Sequence, residues 1–318
     1  MWAFWAPTLS AASLSSFTPI LAGGSATGDP PDSSTNRIDP NTTNSPYAGV
    51  VSVNGASGVA LTPYHILTAK HVVSGGTATV VVNFGGNATQ TLSSAAVALQ
   101  PSAPGSEWYY NDLAIVTLSQ PLAPGVPTYQ LYRNAPTTGF VVTLVGYGAY
   151  GSGDAAGYPI AGSSTVKRVG FNKLDLIQSD PAGPDAQGRT AQIYAFDFDG
   201  PDGTTNVIGP ATPPNRTLGN DVEAMLGPGD SGGPAFVDDN GTLRVIAVNG
   251  FVTNFGNTAV SVPQWGTGGG GALVFPYLDW IDSVISPVPN PIPEPWPAIP
   301  FAAALGFLHF VRRRGRAA

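Results

Sequence analysis

Short apolar runs alternate with turn-forming clusters along most of this chain, the pattern of half-buried and fully buried β-strands. Gly49 to Val53, His65 to Ala69, Ala78 to Phe84, Leu113 to Leu118, Phe140 to Val145, Ala191 to Phe196 and Leu243 to Val248 read as strands. Helical period is scarce. Its clearest instance is Phe275 to Ile285, where Tyr277, Trp280, Ile281 and Val284 recur at helical spacing. Pro121 to Pro127 and Ala135 to Gly139 interrupt the strand pattern midway and read as a connector between two β units. Tyr150 to Ser164 and Asp197 to Pro214, rich in Gly, Pro and Asp, read as long loops.

Composition agrees with an all-β chain. There are 17 Asp but 3 Glu, and 10 Arg but 3 Lys. Glu and Lys suit exposed helix faces, whereas Asp competes with the backbone and settles in turns. With 42% hydrophobic residues the chain can build a core despite 40 Gly and 31 Pro. A net charge of -7 gives no basic footprint for nucleic acid. The absence of cysteine excludes a disulfide scaffold, a thiol nucleophile and a cysteine zinc site.

The two ends differ from the middle. The first 28 residues are apolar and Ser/Ala-rich, like a leader with a small-residue cleavage site near Ala22 to Gly24, although no basic residue precedes Arg37. From Pro287 a Pro-rich spacer leads to an apolar run from Trp296 to Val311, then to Arg312, Arg313, Arg314 and Arg316. An aromatic at one edge and a cation cluster at the other suit a short membrane anchor. Pro293-Glu294-Pro295, the apolar segment and the terminal arginines together resemble the PEP-CTERM sorting signal of Gram-negative bacteria. That resemblance implies an exported protein, in the periplasm, at the cell surface or outside the cell, held transiently in the membrane and handed to an exosortase-type processing enzyme.

Candidate chemistry lies between these ends. Of three histidines, His309 sits in the tail, leaving His65 and His71 as possible general bases. His71 closes the β run Leu67-Thr68-Ala69-Lys70-His71, and Asp112 just precedes an alternating strand. Ser231 lies in Gly227-Pro228-Gly229-Asp230-Ser231-Gly232-Gly233-Pro234, a hydroxyl in a turn nearly free of side chains. Glycines there allow the backbone to approach a substrate and to turn two N–H groups into one pocket. Those donors, on Gly229 and Ser231, would stabilise the oxyanion of an acyl-transfer intermediate. His71 would take the serine proton, and Asp112 would fix the imidazole tautomer.

These segments resemble the chymotrypsin/trypsin-like serine peptidases. LTAKH stands for the family's TAAH, NDLAIVTL for its DIAL, GPGDSGGP for its GDSGGP, Gly146-Tyr147-Gly148 for its GWG, and Tyr277 to Ile281 for its final YxxWI helix. The resemblance implies two antiparallel Greek-key β-barrels around a catalytic cleft and a short C-terminal helix. The apolar anchor helix would be separate. It also implies His71, Asp112 and Ser231 as the triad, a polypeptide substrate, and no cofactor or metal. The domains would be a leader over 1–37, a first barrel over 38–130, a second barrel with helix over 131–286, and the spacer and tail over 287–318.

Several positions depart from the family. Lys70 replaces a small residue before His71, so its cation would either disfavour the imidazolium or extend to solvent. Counting six back from Ser231, Met225 takes the place of the trypsin pocket's Asp and points to apolar or small primary specificity, although Glu223 would reverse that after a two-residue shift. Val248 and Gly250 would form the pocket wall, and Val248 replaces the serine that supports the catalytic Asp. The resemblance implies that Asp230 pairs with a newly cut N-terminus, for which Ile38 after Arg37 and Ile20 are candidates; activation without such a cut stays open. Asp197, Asp199 and Asp202 suit an Asp/Gly turn better than a calcium loop. A binding or matrix protein that keeps the barrels without the activity is the competing class.

Overall fold

The computed structural model describes residues 39, 45–83, 89–151, 153, 157–158, 161–200, 205–208, 218 and 223–286. The leader, Ile20, Ile38, the Pro293-Glu294-Pro295 motif and the apolar tail lie outside the described residues. Among those described, no helix is long and apolar enough to cross a membrane.

Six strands form the first unit: β1 (Val50–Val53), β2 (Ala56–Thr62), β3 (His65–Thr68), β4 (Thr79–Asn83), β5 (Thr89–Leu99) and β6 (Ala114–Leu118). They close into a barrel in the order β1-β2-β3-β6-β5-β4. All the pairings are antiparallel, and β4 folds back to pair with β1, giving the spatial order 4-1-2-3 of a Greek key. Neighbouring residues serve different cores because side chains alternate across a strand. Val51, Ile66 and Val116 fill the barrel interior, while Val50, Leu67 and Ile115 point into the cluster shared with the second unit. That double burial makes β1, β3 and β6 nearly continuous apolar runs.

The second unit contains β7 (Gln130–Leu131), β8 (Val141–Gly146), β9 (Arg168–Lys173), β10 (Leu176–Pro184), β11 (Thr190–Asp197), β12 (Pro234–Asp239), β13 (Thr242–Thr253) and β14 (Gly268–Leu273). Its ladder runs β10-β11-β14-β13-β12-β8-β9, with β7 parallel to β13. Val142 and Leu144 of β8 share one core cluster with Tyr194 and Phe196 of β11, so the sheet wraps around its own interior. A mostly β protein in two such units agrees with the double barrel expected. The connector between β6 and β8 falls where the sequence placed it.

A 3-10 turn, Phe275–Tyr277, leads into α1 (Leu278–Ile285), the one α-helix among the described residues. Tyr277 and Ile281 are buried in the shared cluster, with Trp280, Val284 and Ile285 packed against it. Asp282 faces outward and receives two hydrogen bonds from Arg133, at 2.9 and 2.7 Å.

Candidate active site

The β3 strand ends at Thr68, and the next residues wind into a 3-10 turn, Lys70–Val73, that presents His71 at the barrel edge. Asp112 immediately precedes β6, which pairs with β3, so the two strands deliver both residues to one place. Nδ1 of His71 lies 2.7 Å from Oδ2 of Asp112, and the His71 backbone N–H donates to Oδ1 at 2.9 Å. Asp112 is 3% exposed, and both of its carboxylate oxygens are engaged by His71. This grip holds the ring through Nδ1, so Nε2 is the nitrogen left for another partner.

Ser231 approaches from the second unit. Gly229 at φ +99° and Gly232 at φ +85° occupy the left-handed region that side chains avoid, which sets the sharp turn around it. A Cβ on Gly232 would overlap Thr68 and crowd the Ala69 amide, so the serine turn lies against the segment that leads to His71. Asn249, in β13, holds the turn from behind: Gly232 N–H donates to its carbonyl and its N–H donates to Gly233, both at 2.8 Å. Among the described residues, neither the Gly229 nor the Ser231 N–H is spent on an acceptor. The serine turn therefore sits against the segment that leads to His71, with two N–H groups that meet no acceptor among the described residues.

A cavity of about 100 Å³ beside Ser231 is lined by Leu226, Gly227, Pro228, Gly250, Phe251 and Val252. Of the three residues expected to shape the pocket, only Gly250 lines it. Met225 and Val248 are fully buried in the hydrophobic clusters, their side chains used for packing. Leu226 stands at the pocket instead. Glu223 does not enter it either: its Oε2 accepts the Asp199 N–H at 2.8 Å and its Oε1 the Leu218 N–H at 2.7 Å. The absence of a serine at Val248 leaves Asp112 anchored by the His71 amide, while a Cβ on Gly250 would come within 3.0 Å of Oδ2.

Lys70 extends its ammonium to Ser102 Oγ at 3.3 Å, in accord with the reading that sends it outward. Trp108, 52% exposed, meets the His71 ring edge-on at 5.7 Å and lines a second cavity of about 330 Å³ with Lys70, Ser102 and Ser106. Asp197 accepts the N–H groups of Val207 and Ile208, ten and eleven residues on; Asp202 lies outside the described residues. Among the described residues no acidic or histidine group of three or more is arranged to hold a metal.

Sequence reasoning missed Ser57, Thr68, Asn249 and Arg168. Ser57 N–H donates to the Ser231 carbonyl at 2.9 Å and its hydroxyl to the Gly229 carbonyl at 2.8 Å. Thr68 in turn donates to the Ser57 carbonyl at 2.7 Å. The only sequence signal was a polar residue inside the buried apolar run of β2.

Asp230 is wholly buried, its carboxylate accepting the N–H groups of Gly148 and Gly227, each at 2.8 Å. Burial pushes its carboxyl up to about 7, against the lowering effect of those two hydrogen bonds and of the Arg168 charge.

No curated protein matches the chain. A family model described as Trypsin matches residues 35–174, the segment that carries His71 and Asp112 and ends before Ser231. That match, on this β architecture, supports a chymotrypsin/trypsin-like serine peptidase.

Proposed function

We propose that this chain is an exported serine endopeptidase that cleaves peptide bonds through Ser231, His71 and Asp112. The observation that carries the reading is the two-point grip of Asp112 on His71 beside a glycine turn whose N–H groups are unspent. Ser231 attacks the scissile carbonyl and forms a C–O bond as its proton passes to Nε2 of His71. The Gly229 and Ser231 N–H groups receive the oxyanion. The tetrahedral intermediate collapses, the C–N bond breaks, and His71 gives the proton to the departing amine. Water then repeats the sequence on the acyl-enzyme and frees the new carboxyl group. Asp112 keeps the imidazole in the tautomer that accepts at Nε2.

A cavity of about 100 Å³ favours a small or modest apolar side chain at the scissile position over Arg, Lys or an aromatic ring. Export, membrane retention through the apolar tail and handover to an exosortase-type enzyme rest on the order of Pro293-Glu294-Pro295, apolar run and arginines in the sequence.

The test is labelling of the full chain by a fluorophosphonate. The wild-type chain is expected to take up one label and Ser231→Ala none, with Asp112→Asn slowed by about 10⁴-fold while remaining folded. A wild-type chain that neither labels nor cleaves denatured casein or a peptide library would overturn the reading.

A further inference from the structure

A carboxylate with no exposure next to the reacting serine needs a counter-charge, because backbone N–H groups supply only partial charges. The register of β8 and β9 identifies one. Arg168 stands directly opposite Gly146 in that antiparallel ladder, and residues so paired project to the same face. A Cβ on Gly146 would overlap Oδ1 of Asp230, so that face is the one Asp230 occupies. Arg168 is itself buried, at 4% exposure, and its guanidinium lies 3.4 Å from the centre of the Tyr150 ring. Its Nε and Nη1 meet no acceptor among the described residues. An arginine so desolvated, stacked on one aromatic and facing one carboxylate, is placed as a fixed charge.

We infer that Arg168 is a positioning residue that supplies the internal cation for Asp230, so the serine turn is ordered in the uncut chain without an ammonium from a new N-terminus. The inference rests on the peptidase reading of Ser231 only for its consequence in activity. The attraction is coulombic, with no hydrogen bond between the two groups, and burial drives each toward its neutral form. Of the described titratable groups, Arg168 from β9 and Tyr158 from the segment between β8 and β9 face Asp230, and only Arg168 brings a positive charge. A free ammonium inserted beside Asp230 would be a second cation against one carboxylate. Asp39, the residue after Ile38, already has partners of its own: it donates its N–H to the Lys167 carbonyl at 2.8 Å and pairs its carboxylate with Lys167 Nζ at 2.9 Å.

The experiment uses the full chain, labelled with ¹⁵N-glycine, as wild type, Arg168→Gln, Arg168→Lys and Arg37→Gln. The amides of Gly148 and Gly227 report the ionisation of Asp230 directly. Arg168→Gln is expected to move their titration midpoint up by about one to three pH units, and Arg168→Lys to restore most of it. Fluorophosphonate labelling of Arg168→Gln is expected to fall at least about tenfold near pH 7 and to recover above the shifted midpoint. Arg37→Gln, shown uncut by intact mass, is expected to label as fast as wild type. An unmoved glycine midpoint in Arg168→Gln overturns the inference, and so does an uncut chain that labels only after cleavage. If the midpoint moves but no variant ever labels, the internal counter-charge stands and the peptidase reading fails.

Discussion

Ser57 and Gly229 belong to different β units, yet the Ser57 hydroxyl donates to the Gly229 carbonyl at 2.8 Å. The Ser57 Oγ also accepts the Tyr147 N–H at 3.0 Å, and the Ser57 N–H donates to the Ser231 carbonyl. One buried side chain thus ties the first barrel to the turn that carries the nucleophile. With both carbonyls drawn toward Ser57, the Gly229 and Ser231 N–H groups are left for the opposite side, where a substrate carbonyl would lie.

Ser57→Ala should therefore act on rate and stability together. The Gly229 carbonyl and the Tyr147 N–H lose a buried partner, at about 1 to 3 kcal/mol. Loosening of the turn should lower kcat by roughly tenfold to a hundredfold, with a smaller change in KM. Steady-state kinetics with a thermal melt would check this; an unchanged kcat alongside a lowered melting temperature would make Ser57 a packing residue only.

Acid should stabilise the chain through Asp230. Its carboxyl ionises near 7 when folded, against the ordinary value of about 4 in an unfolded chain. Below pH 4 both states carry the proton and the group's contribution to stability is fully present. As pH rises from 4 to 7 the unfolded chain ionises first, so that contribution shrinks, and above 7 it is gone. Asp230→Asn should remove this part of the stability slope between pH 4 and 7 in scanning calorimetry. A variant that keeps the wild-type slope there would show that other groups set it.

The pocket makes a prediction about substrate. Leu226 and Phe251 line its wall, and a cavity of about 100 Å³ has room for Ala to Val at the scissile position. Leu226→Gly should enlarge it and raise kcat/KM for a Phe substrate relative to an Ala substrate by about 10- to 200-fold. A peptide library read by mass spectrometry would show the shift. Strong wild-type cleavage after Arg, Lys or Phe would contradict the pocket assignment.

What the sequence could show followed from side chains that reveal themselves locally. The apolar runs of β1, β3, β4, β6, β8, β11 and β13 were legible because burial on both faces or alternation marks them. The β14 strand was not, because Gly268 to Gly271 carry no side chains to alternate; its ladder to β11 and β13 is a tertiary property. Most of β5 is exposed, and β10 contains Pro181 and Asp180, so neither offered an apolar run. His71, Asp112 and Ser231 could be proposed from the sequence because their glycine and strand context is local. Ser57 and Arg168 were not, since each acts on a residue more than sixty positions away. The burial of Met225 in a core cluster was not legible, because counting along the chain cannot tell a cavity-facing side chain from one that packs the core.

Lys167 and Asp39 form a pair with no side-chain exposure, 2.9 Å apart, and the same ammonium donates to the Tyr47 carbonyl at 2.7 Å. Burial lowers the Lys167 ionisation, and the Asp39 charge opposes that. Removing one member leaves the other charged, dry and unmatched, so Asp39→Ala or Lys167→Met alone should cost about 3 to 5 kcal/mol. Replacing both with apolar residues of similar size, Asp39→Leu with Lys167→Met, removes two desolvation penalties along with the attraction and should return most of that loss. A double-mutant cycle by urea denaturation measures the coupling. Additive losses would mean that the pair contributes nothing as a pair, and that the segment at Asp39 is held by its backbone bond to Lys167 alone.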